Sequence, residues 1–204
     1  MTMPVLWSFR RCPFAIRARL ALASAGVAVE HREILLRDKP EAFLAASPAG
    51  TVPVLEGADR VLVHSRDIML WALGQNDPER LLNQPSGATD LIDQADGSFK
   101  NALDRYKYHV RHSGVNPKAE RAICMAWLGD LADIMDKNEW VFGTSPRLAD
   151  LAILPFVRQF AHVDLLWFEA TAPPAILAWL NRFKASERFA KVMVKHPLWQ
   201  TTGP

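Results

Sequence analysis

A cysteine followed directly by a proline, Cys12-Pro13, stands between an apolar run and a stretch with helical spacing. Residues 4–9 are apolar enough for a buried strand, and between 13 and 25 apolar residues recur every three or four positions. Pro13 suits the first turn of a helix, where its missing N–H costs nothing. The unsatisfied N–H groups of that turn favour a thiolate, the nucleophilic form of cysteine. The pattern therefore indicates disulfide-exchange chemistry at Cys12.

The alternative is a small apolar side chain packed beneath the helix, and position alone leaves both interpretations open. Arg10 and Arg11 precede the cysteine and would add positive charge that favours the thiolate. A self-resolving C-x-x-C pair would need a second thiol at position 15, which is Ala15. Any disulfide exchange must therefore be monothiol, with an external thiol resolving the intermediate.

Pro53 lies inside the strand-like run "TVPVL". Because proline cannot donate to a ladder, it indicates a sheet edge, a bulge or a cis bond, although a plain turn proline also fits. A cis bond would turn the main-chain N–H and C=O of Val52 outward, where an extended peptide could pair with them.

The segment "HSRDIMLW" predicts a helix that is capped by Ser65 and runs to about Gly74. Asp67 in its first turn complements the helix dipole. A helix N-terminus with a hydroxyl can hold a carboxylate, whereas simple capping is the plainer interpretation. Together the three signals describe one cleft with a thiolate, a peptide-pairing edge and a carboxylate site.

The elements that must position these residues alternate between strands and helices in the first 77 residues. Strands are predicted at 4–9, 27–35 and in two runs joined by the turn Gly57-Ala58-Asp59, and helices at 13–25, 39–46 and from 65. The Pro-, Asn- and Gly-rich stretch that follows predicts a linker at 78–88. After it strand signals vanish, and helical periodicity covers 89–112, 117–137, 146–162 and 173–194. We expect an α/β domain at 1–77 and an all-helical bundle at 89–204.

Composition narrows the class of protein. A net charge of +2 on 204 residues, with no strongly basic half, does not favour nucleic-acid binding. No apolar run approaches the roughly 20 residues of a membrane helix, and the N-terminus lacks the apolar core of a signal peptide. Two cysteines are too few for a disulfide framework. These features predict a soluble cytoplasmic protein.

Other candidate groups favour plainer roles. Cys124 lies among apolar residues and is expected in the core. His109 and His112 could share a metal, but without further ligands at suitable spacing no metal site is expected. The aromatic residues of the helical part, which could line a second-substrate pocket but more often pack, are Tyr106, Tyr108 and Trp127.

Four stretches of the chain resemble a known family. The stretches "SFRRCPFAIRARL", "DKPEAFLAASPAGTVPVLE", "HSRDI" and "LADLAILPFVRQF" stand in the order and spacing of glutathione S-transferases, and the cysteine is similar to that of the omega-like class. The resemblance covers essentially the whole chain. It implies a thioredoxin-like N-terminal domain followed by a helical C-terminal domain.

The resemblance also implies glutathione as co-substrate, with no metal, and a homodimer. Cys12 would form a mixed disulfide with glutathione, Val52 before Pro53 would pair with its backbone, and Lys39 would reach its glycyl carboxylate. Ser65 would hold the γ-glutamyl carboxylate. The implied glutathione-binding residues are Phe14, Lys39, Val52, Pro53, His64 and Ser65.

Two positions depart from the family pattern. The residue before the serine is normally acidic and faces the γ-glutamyl amino group, but here it is His64, which repels an ammonium when protonated. The family also has a Ser or Thr three residues before Asp150, where this chain has Arg147. Thr144 or Ser145 must cap that helix instead, or Asp150 acts alone.

The expected function is a glutathione-dependent thiol transferase or reductase, acting on a disulfide or on a small acceptor such as dehydroascorbate. Two alternatives stay open: conjugation of glutathione to small electrophiles, with Ser8 as a possible alternative hydroxyl, and a non-catalytic scaffold that binds proteins. His64 favours the scaffold, whereas intact Cys12, Val52, Pro53 and Ser65 favour the enzyme.

Overall fold

The computed structural model describes residues 3–57 and 60–200. The chain divides into two compact units, one formed by Met1–Arg80 with Ser186–Pro204 and the other by Leu81–Ala185. The first unit contains a four-stranded sheet with helices, and the described part of the second contains helices without a named strand. The predicted combination of a thioredoxin-like α/β domain and a helical domain is confirmed.

The sheet of the first unit has the strand order β2-β1-β3-β4. β1 pairs in parallel with β2, since α1 returns the chain between them, and β3 and β4 follow as antiparallel neighbours. Of the predicted turn Gly57-Ala58-Asp59, Ala58 and Asp59 lie outside the described residues. The strands are β1 (Val5–Ser8), β2 (Glu30–Glu33), β3 (Val54–Glu56) and β4 (Val61–Leu62).

Two helices connect these strands and a third follows the last one: α1 (Pro13–Ala25) lies between β1 and β2, α2 (Glu41–Ala46) between β2 and β3, and α3 (Ser65–Gln75) after β4. Gly26 ends α1 with φ at 69°, a left-handed conformation that glycine adopts at little cost, as its sequence position predicts. Trp7, Phe43 and Val54 form part of a buried cluster that fixes the end of β1 from which the chain enters α1.

The second unit holds six helices within the described residues. A π-helical segment, Ala95–Phe99, joins the first two, and a single 3₁₀ turn, His109–Arg111, follows the second. One helix, at 165–171, had no counterpart in the sequence prediction. The helices are α4 (Ala88–Gln94), α5 (Lys100–Lys107), α6 (Pro117–Met135), α7 (Leu148–Ala161), α8 (Leu165–Thr171) and α9 (Pro174–Ala185).

The stretch 173–194, where helical periodicity was predicted, contains two helices, because α9 ends at Ala185 and a new helix, α10 (Glu187–Val192), begins after Ser186. The Ser186 side chain accepts a hydrogen bond from the Phe189 N–H at 3.2 Å and so caps α10. Helical periodicity continues across the break, so apolar spacing alone does not reveal it.

The C-terminal segment after α10 packs in the first unit. The Trp199 N–H donates to the Glu33 carbonyl at 2.8 Å, and the Trp199 ring meets the Trp7 ring edge-on, with centroids 4.9 Å apart. The compact units thus group 186–204 with the first domain, whereas the sequence prediction grouped these residues with the helices. The domain boundaries themselves stay a prediction.

The N-terminus of α7 depends on Asp150, one of the two alternatives left open by the sequence. Arg147 occupies the N-cap position, and its N–H donates to Asp150 Oδ2 at 2.8 Å. Asp150 Oδ1 also accepts from the Val141 N–H and from Trp179 Nε1, each at 2.9 Å. Burial raises the pKa of the Asp150 carboxyl, and the three N–H donors act in the opposite direction.

Between residues 3 and 200, no single described helix is both long and apolar enough to cross a membrane. Leu148–Ala161 and Leu165–Thr171 meet that criterion only when taken together, and they form an angle of 114°.

Candidate active site around Cys12

Cys12 is the N-cap residue of α1 and is half-buried. Its N–H donates to the Phe9 carbonyl at 3.0 Å, and its own carbonyl accepts from the Ile16 N–H at 2.9 Å. The thiol itself makes no capping hydrogen bond to the helix. The sulfur therefore stands at the positive end of a 13-residue helix without being used to cap it.

Val52 and Pro53 lie on the next segment of the site, and the peptide bond between them is cis, one of the forms that the sequence left open. Cys12 Sγ lies 3.7 Å from the Val52 carbonyl oxygen. Both Val52 and Pro53 are buried immediately before β3 begins at Val54. The predicted nucleophile and the predicted peptide-pairing residue therefore come together.

Ser65 is buried but does not cap α3 as the sequence predicted. His64 takes the N-cap position, and Ser65 is the first residue of the helix. Ser65 Oγ instead accepts a hydrogen bond from Arg17 Nε at 2.9 Å. Asp67 does lie in the first turn, as expected. The capping prediction fails because α1 supplies a buried partner for this hydroxyl, 48 residues away in sequence.

Arg17 connects Ser65 to a further predicted site residue. Its guanidinium carbon lies 5.1 Å from the centre of the half-buried Phe14 ring, a distance typical of a cation–π contact. Arg17 itself is only 2% exposed. Phe14 and Ser65 are thus held by one buried side chain of α1, which the sequence prediction did not assign to the site.

Lys39 and His64 are exposed and lie on separate loops. A Cβ added to Gly50 would be 2.8 Å from Lys39 Nζ, so the lysine side chain lies against the turn that leads into Val52. Gly50 has φ at 62°, and its N–H closes that turn on the Ser47 carbonyl at 2.7 Å. Lys39 therefore lies next to the turn that leads into Val52, the predicted peptide-pairing residue, and His64 lies at the start of α3.

The loop that carries Cys12 is held by Arg19, a buried residue that sequence reasoning missed. Its Nη1 donates to Ser8 Oγ at 3.0 Å and its Nη2 to the Arg10 carbonyl at 2.7 Å. Burial lowers the pKa of Arg19 to about 10, against the attraction of Glu33 and Cys12. The signal was present, since Arg17 and Arg19 stand in an otherwise apolar helix.

The sequence suggested that Arg10 and Arg11 add positive charge near Cys12, but the structure shows other contacts for both residues. The Arg10 main-chain N–H donates to the buried Glu33 Oε1 at 2.5 Å, and the exposed Arg11 guanidinium lies 5.8 Å from the Phe9 ring centre. Ser8, the alternative hydroxyl, is fully buried and accepts from Arg19. The buried Arg19 is therefore the arginine whose charge acts on Cys12 from inside the protein.

Cys124, the second thiol, lies fully buried in the helical unit, so the prediction of a core residue is confirmed. Its Sγ donates to the Phe99 carbonyl at 3.8 Å. Burial first, and then the charge of Glu120, raise the pKa of this thiol to about 12. The two cysteines thus differ sharply in their surroundings.

The remaining candidates of the helical unit make structural contacts. The Trp127 indole donates to Gln94 Oε1 at 3.0 Å, and its ring centre lies 4.7 Å from that of Phe99. His109 Nδ1 lies 3.2 Å from the Tyr106 carbonyl oxygen. Over residues 3–57 and 60–200, no group of three His, Cys, Asp or Glu side chains could hold a metal ion.

Fold and site together define a thioredoxin-like protein with a cysteine at the start of its first helix and a helical second unit. Residues 6–81 match the family model of the glutathione S-transferase N-terminal domain. Glutathione S-transferase omega-1 of Rattus norvegicus is 38% identical over 169 residues, which span 78% of this chain and 68% of the relative. The chain belongs to the glutathione S-transferase family.

Two further comparisons agree with that assignment. The probable glutathione S-transferase DHAR1, cytosolic, of Oryza sativa subsp. japonica is 34% identical over 144 residues, spanning 71% of this chain and 64% of the relative. A solved glutathione transferase family member from Pseudomonas fluorescens, with two glutathione molecules bound, superposes with a TM-score of 0.79. It is 16% identical, and the match covers 94% of this chain and 92% of that one, so it supports the fold alone.

Proposed function

We propose that this glutathione S-transferase family member is a glutathione-dependent thiol transferase or reductase that works through a mixed disulfide on Cys12. The observation that carries the proposal is the thiol of Cys12, half-buried at the N-terminus of α1 with its sulfur 3.7 Å from the Val52 carbonyl. Similarity to an omega-1 enzyme and to a probable DHAR1 protein supports the same chemistry.

The reaction has two exchange steps. The Cys12 thiolate attacks the glutathione sulfur of a mixed disulfide RS–SG, so an S–S bond forms between Cys12 and glutathione and the S–S bond of the substrate breaks. The released RS⁻ takes a proton from solvent. A second glutathione thiolate then attacks the glutathione sulfur of Cys12–S–S–G, giving glutathione disulfide and the free Cys12 thiolate. Two electrons pass from glutathione to the substrate disulfide.

The surroundings of Cys12 support this monothiol route. Ala15, which occupies the position of a resolving cysteine, is fully buried on α1. The other thiol, Cys124, is fully buried with its pKa raised to about 12. An external thiol must therefore resolve the intermediate, and glutathione supplies it.

Glutathione recognition is proposed to use both sides of Cys12. Pairing of the tripeptide backbone with the main chain of Val52 would bring its sulfur close to Cys12 Sγ, which lies beside the Val52 carbonyl. Because Ser65 Oγ accepts from Arg17, the hydroxyl proton of Ser65 can be donated to the γ-glutamyl carboxylate. Lys39 carries the charge for the glycyl carboxylate, Phe14 lines the entrance, and His64 faces the γ-glutamyl amino group.

The test is a comparison of three proteins: wild type, Cys12→Ser and the control Cys124→Ala. After incubation with glutathione disulfide, mass spectrometry should find one glutathione adduct, on Cys12, in the wild type and in the control. Glutathione-dependent reduction of a small disulfide should disappear in Cys12→Ser, because a hydroxyl cannot form the mixed disulfide. An adduct confined to Cys124, or full exchange activity in Cys12→Ser, would refute the proposal.

The same variant separates the alternatives. If conjugation to electrophiles is the main activity, Cys12→Ser keeps or improves it, since a hydroxyl can hydrogen-bond a bound glutathione thiolate. If the chain is a protein-binding scaffold, as the histidine at position 64 allows, neither activity appears and immobilised glutathione does not retain it.

We also propose a cytoplasmic homodimer, in keeping with the family and with the cytosolic rice relative. A twofold, isologous dimer is the commonest oligomer of soluble proteins. Light scattering should give a mass twice that of the 22.9 kDa chain, and a concentration-independent single-chain mass would reject the dimer.

A further inference from the structure

A cavity of about 370 Å³ opens in the first unit between α1, the loop after it, β2 and α10. Its walls are largely apolar, and the five large apolar side chains that form them come from β1, α1, the loop after α1 and α10. It is separate from the predicted glutathione-binding residues, since none of them lines it. The apolar lining residues include Leu6, Leu22, Val27, Val29 and Val192.

The polar part of this lining contains two cations, Arg19 and Lys191, and two imidazole rings. Arg19, His31, Lys191 and His196 contribute side chains, and the described lining contains no Asp or Glu. The His31 and His196 rings stack, with their centres 3.9 Å apart and their planes 16° from parallel. The cavity therefore combines an apolar wall with a group of side chains that favour a negative charge.

Arg19 is a buried cation whose hydrogen bonds within the described residues reach neutral groups. It is 6% exposed, and its donors go to Ser8 Oγ at 3.0 Å, the Arg10 carbonyl at 2.7 Å and Met193 Sδ at 3.8 Å. Its Nε is buried without a hydrogen-bond partner in the described part of the chain. A buried charge that lacks a direct counter-ion gains from an anion nearby.

Glu33 does not fill that role. Its two carboxylate oxygens are used by the Arg10 N–H, at 2.5 Å, and by His31 Nε2, at 3.0 Å. It attracts Arg19 electrostatically, and this attraction only partly offsets the burial that lowers the Arg19 pKa. Arg19 lines the cavity and its Nε has no hydrogen-bond partner among the described residues, so an anion bound in the cavity would add to the attraction that Glu33 supplies.

We propose that this cavity binds a small monocarboxylate with an apolar tail, at a site distinct from that of glutathione. The tail would lie along Leu6, Leu22 and Val192, and the carboxylate would face the cations Arg19 and Lys191 beside the His31 and His196 rings. This chemistry fits both parts of the lining, because a neutral apolar molecule leaves the cations unpaired and a bare inorganic anion leaves the apolar wall empty.

The test is calorimetric titration of the full chain with octanoate, with 1-octanol as the uncharged probe of similar length. We expect saturable one-to-one octanoate binding that is at least about tenfold tighter than octanol binding. Equal affinity for the two probes, or no saturable octanoate binding, would overturn the proposal. Titration of Cys12→Ser should give the wild-type affinity, so failure here is distinguishable from failure of the proposed thiol transfer.

Two variants locate the site. Lys191→Glu reverses an exposed charge on the cavity lining and should weaken octanoate binding about fivefold or more, whereas the exposed control Lys137→Glu should not. Ala23→Leu, on the α1 wall, should fill part of the cavity and weaken binding of the tail. Unchanged affinity in Lys191→Glu would place octanoate elsewhere and refute the assignment, even if Ala23→Leu does not fold.

Discussion

Asp150 offers a quantitative test of how the helical unit is held together. The side chain is fully buried and accepts three hydrogen bonds, from the main-chain N–H groups of Val141 and Arg147 and from the Trp179 indole. Replacement by alanine leaves three donors without an acceptor. Replacement by asparagine keeps the shape but changes one acceptor oxygen into a donor.

The two substitutions should differ in size. A buried donor left without its partner costs about 1–3 kcal/mol, while removal of the carboxylate also removes the cost of burying a charge. We therefore expect a loss of about 3–5 kcal/mol in Asp150→Ala. In Asp150→Asn, Oδ1 can keep the bonds to Val141 and Trp179, while Nδ2 meets the Arg147 N–H. That single mismatch should cost about 1–3 kcal/mol.

Urea unfolding followed by circular dichroism, together with thermal melts, measures both losses. For a chain of this size each kcal/mol lowers the melting temperature by about 2–4 °C. The matched control is Asp164→Asn at the exposed N-cap of α8, where asparagine caps as well as aspartate and the change should stay below about 0.5 kcal/mol. An Asp150→Asn protein as stable as wild type would refute this account of the α7 N-terminus.

Three further predictions concern the first unit and its thiol. At about pH 6.5 iodoacetamide should alkylate Cys12 before Cys124, because Cys124 is fully buried with its pKa raised to about 12; the reverse order in peptide mass spectrometry would contradict the proposed nucleophile. His64→Glu should tighten glutathione binding about threefold or more, because a carboxylate at position 64 attracts the γ-glutamyl ammonium, and identical calorimetric affinities of the two proteins would show that position 64 does not face the ammonium. Burial, and then the charge of His31, lower the pKa of His196 in the folded protein. The unfolded chain therefore binds a proton at His196 more readily than the folded chain does. The free energy of unfolding should be highest at pH values above the ordinary pKa range of histidine, and it should fall as the pH drops through that range. His196→Gln should lessen that fall in urea titrations, and a loss unchanged from wild type would contradict the contribution of His196.

Local sequence signals were enough to predict the start of the candidate site. Cys12, Pro13 and Gly26 mark the two ends of α1, and each acts through the backbone of its own turn, within a few residues. The absence of a second thiol at position 15 needs no structure either. Strand and helix order in the first 77 residues was predictable for the same reason, since short-range periodicity reports which face of an element is buried.

Partners that are far apart in sequence could not be predicted in this way. Ser65 reads as an N-cap, because its own turn offers it no better hydrogen bond, yet in the structure its hydroxyl pairs with Arg17, 48 residues earlier. Arg19 reads as a polar interruption of an apolar helix. Only the folded chain brings Ser8 and the Arg10 carbonyl to its guanidinium and buries the charge.

The C-terminal end of the chain shows most clearly which features local sequence determines and which need tertiary contacts. The sequence determined that 173–194 is helical and that Cys12 begins a helix, because both depend on residues three or four positions apart. Tertiary structure alone decided that Trp199 docks on Trp7 and on the Glu33 carbonyl of β2. Those contacts join residues more than 160 positions apart, and no periodic pattern along the chain encodes which surface a distant aromatic side chain will cover.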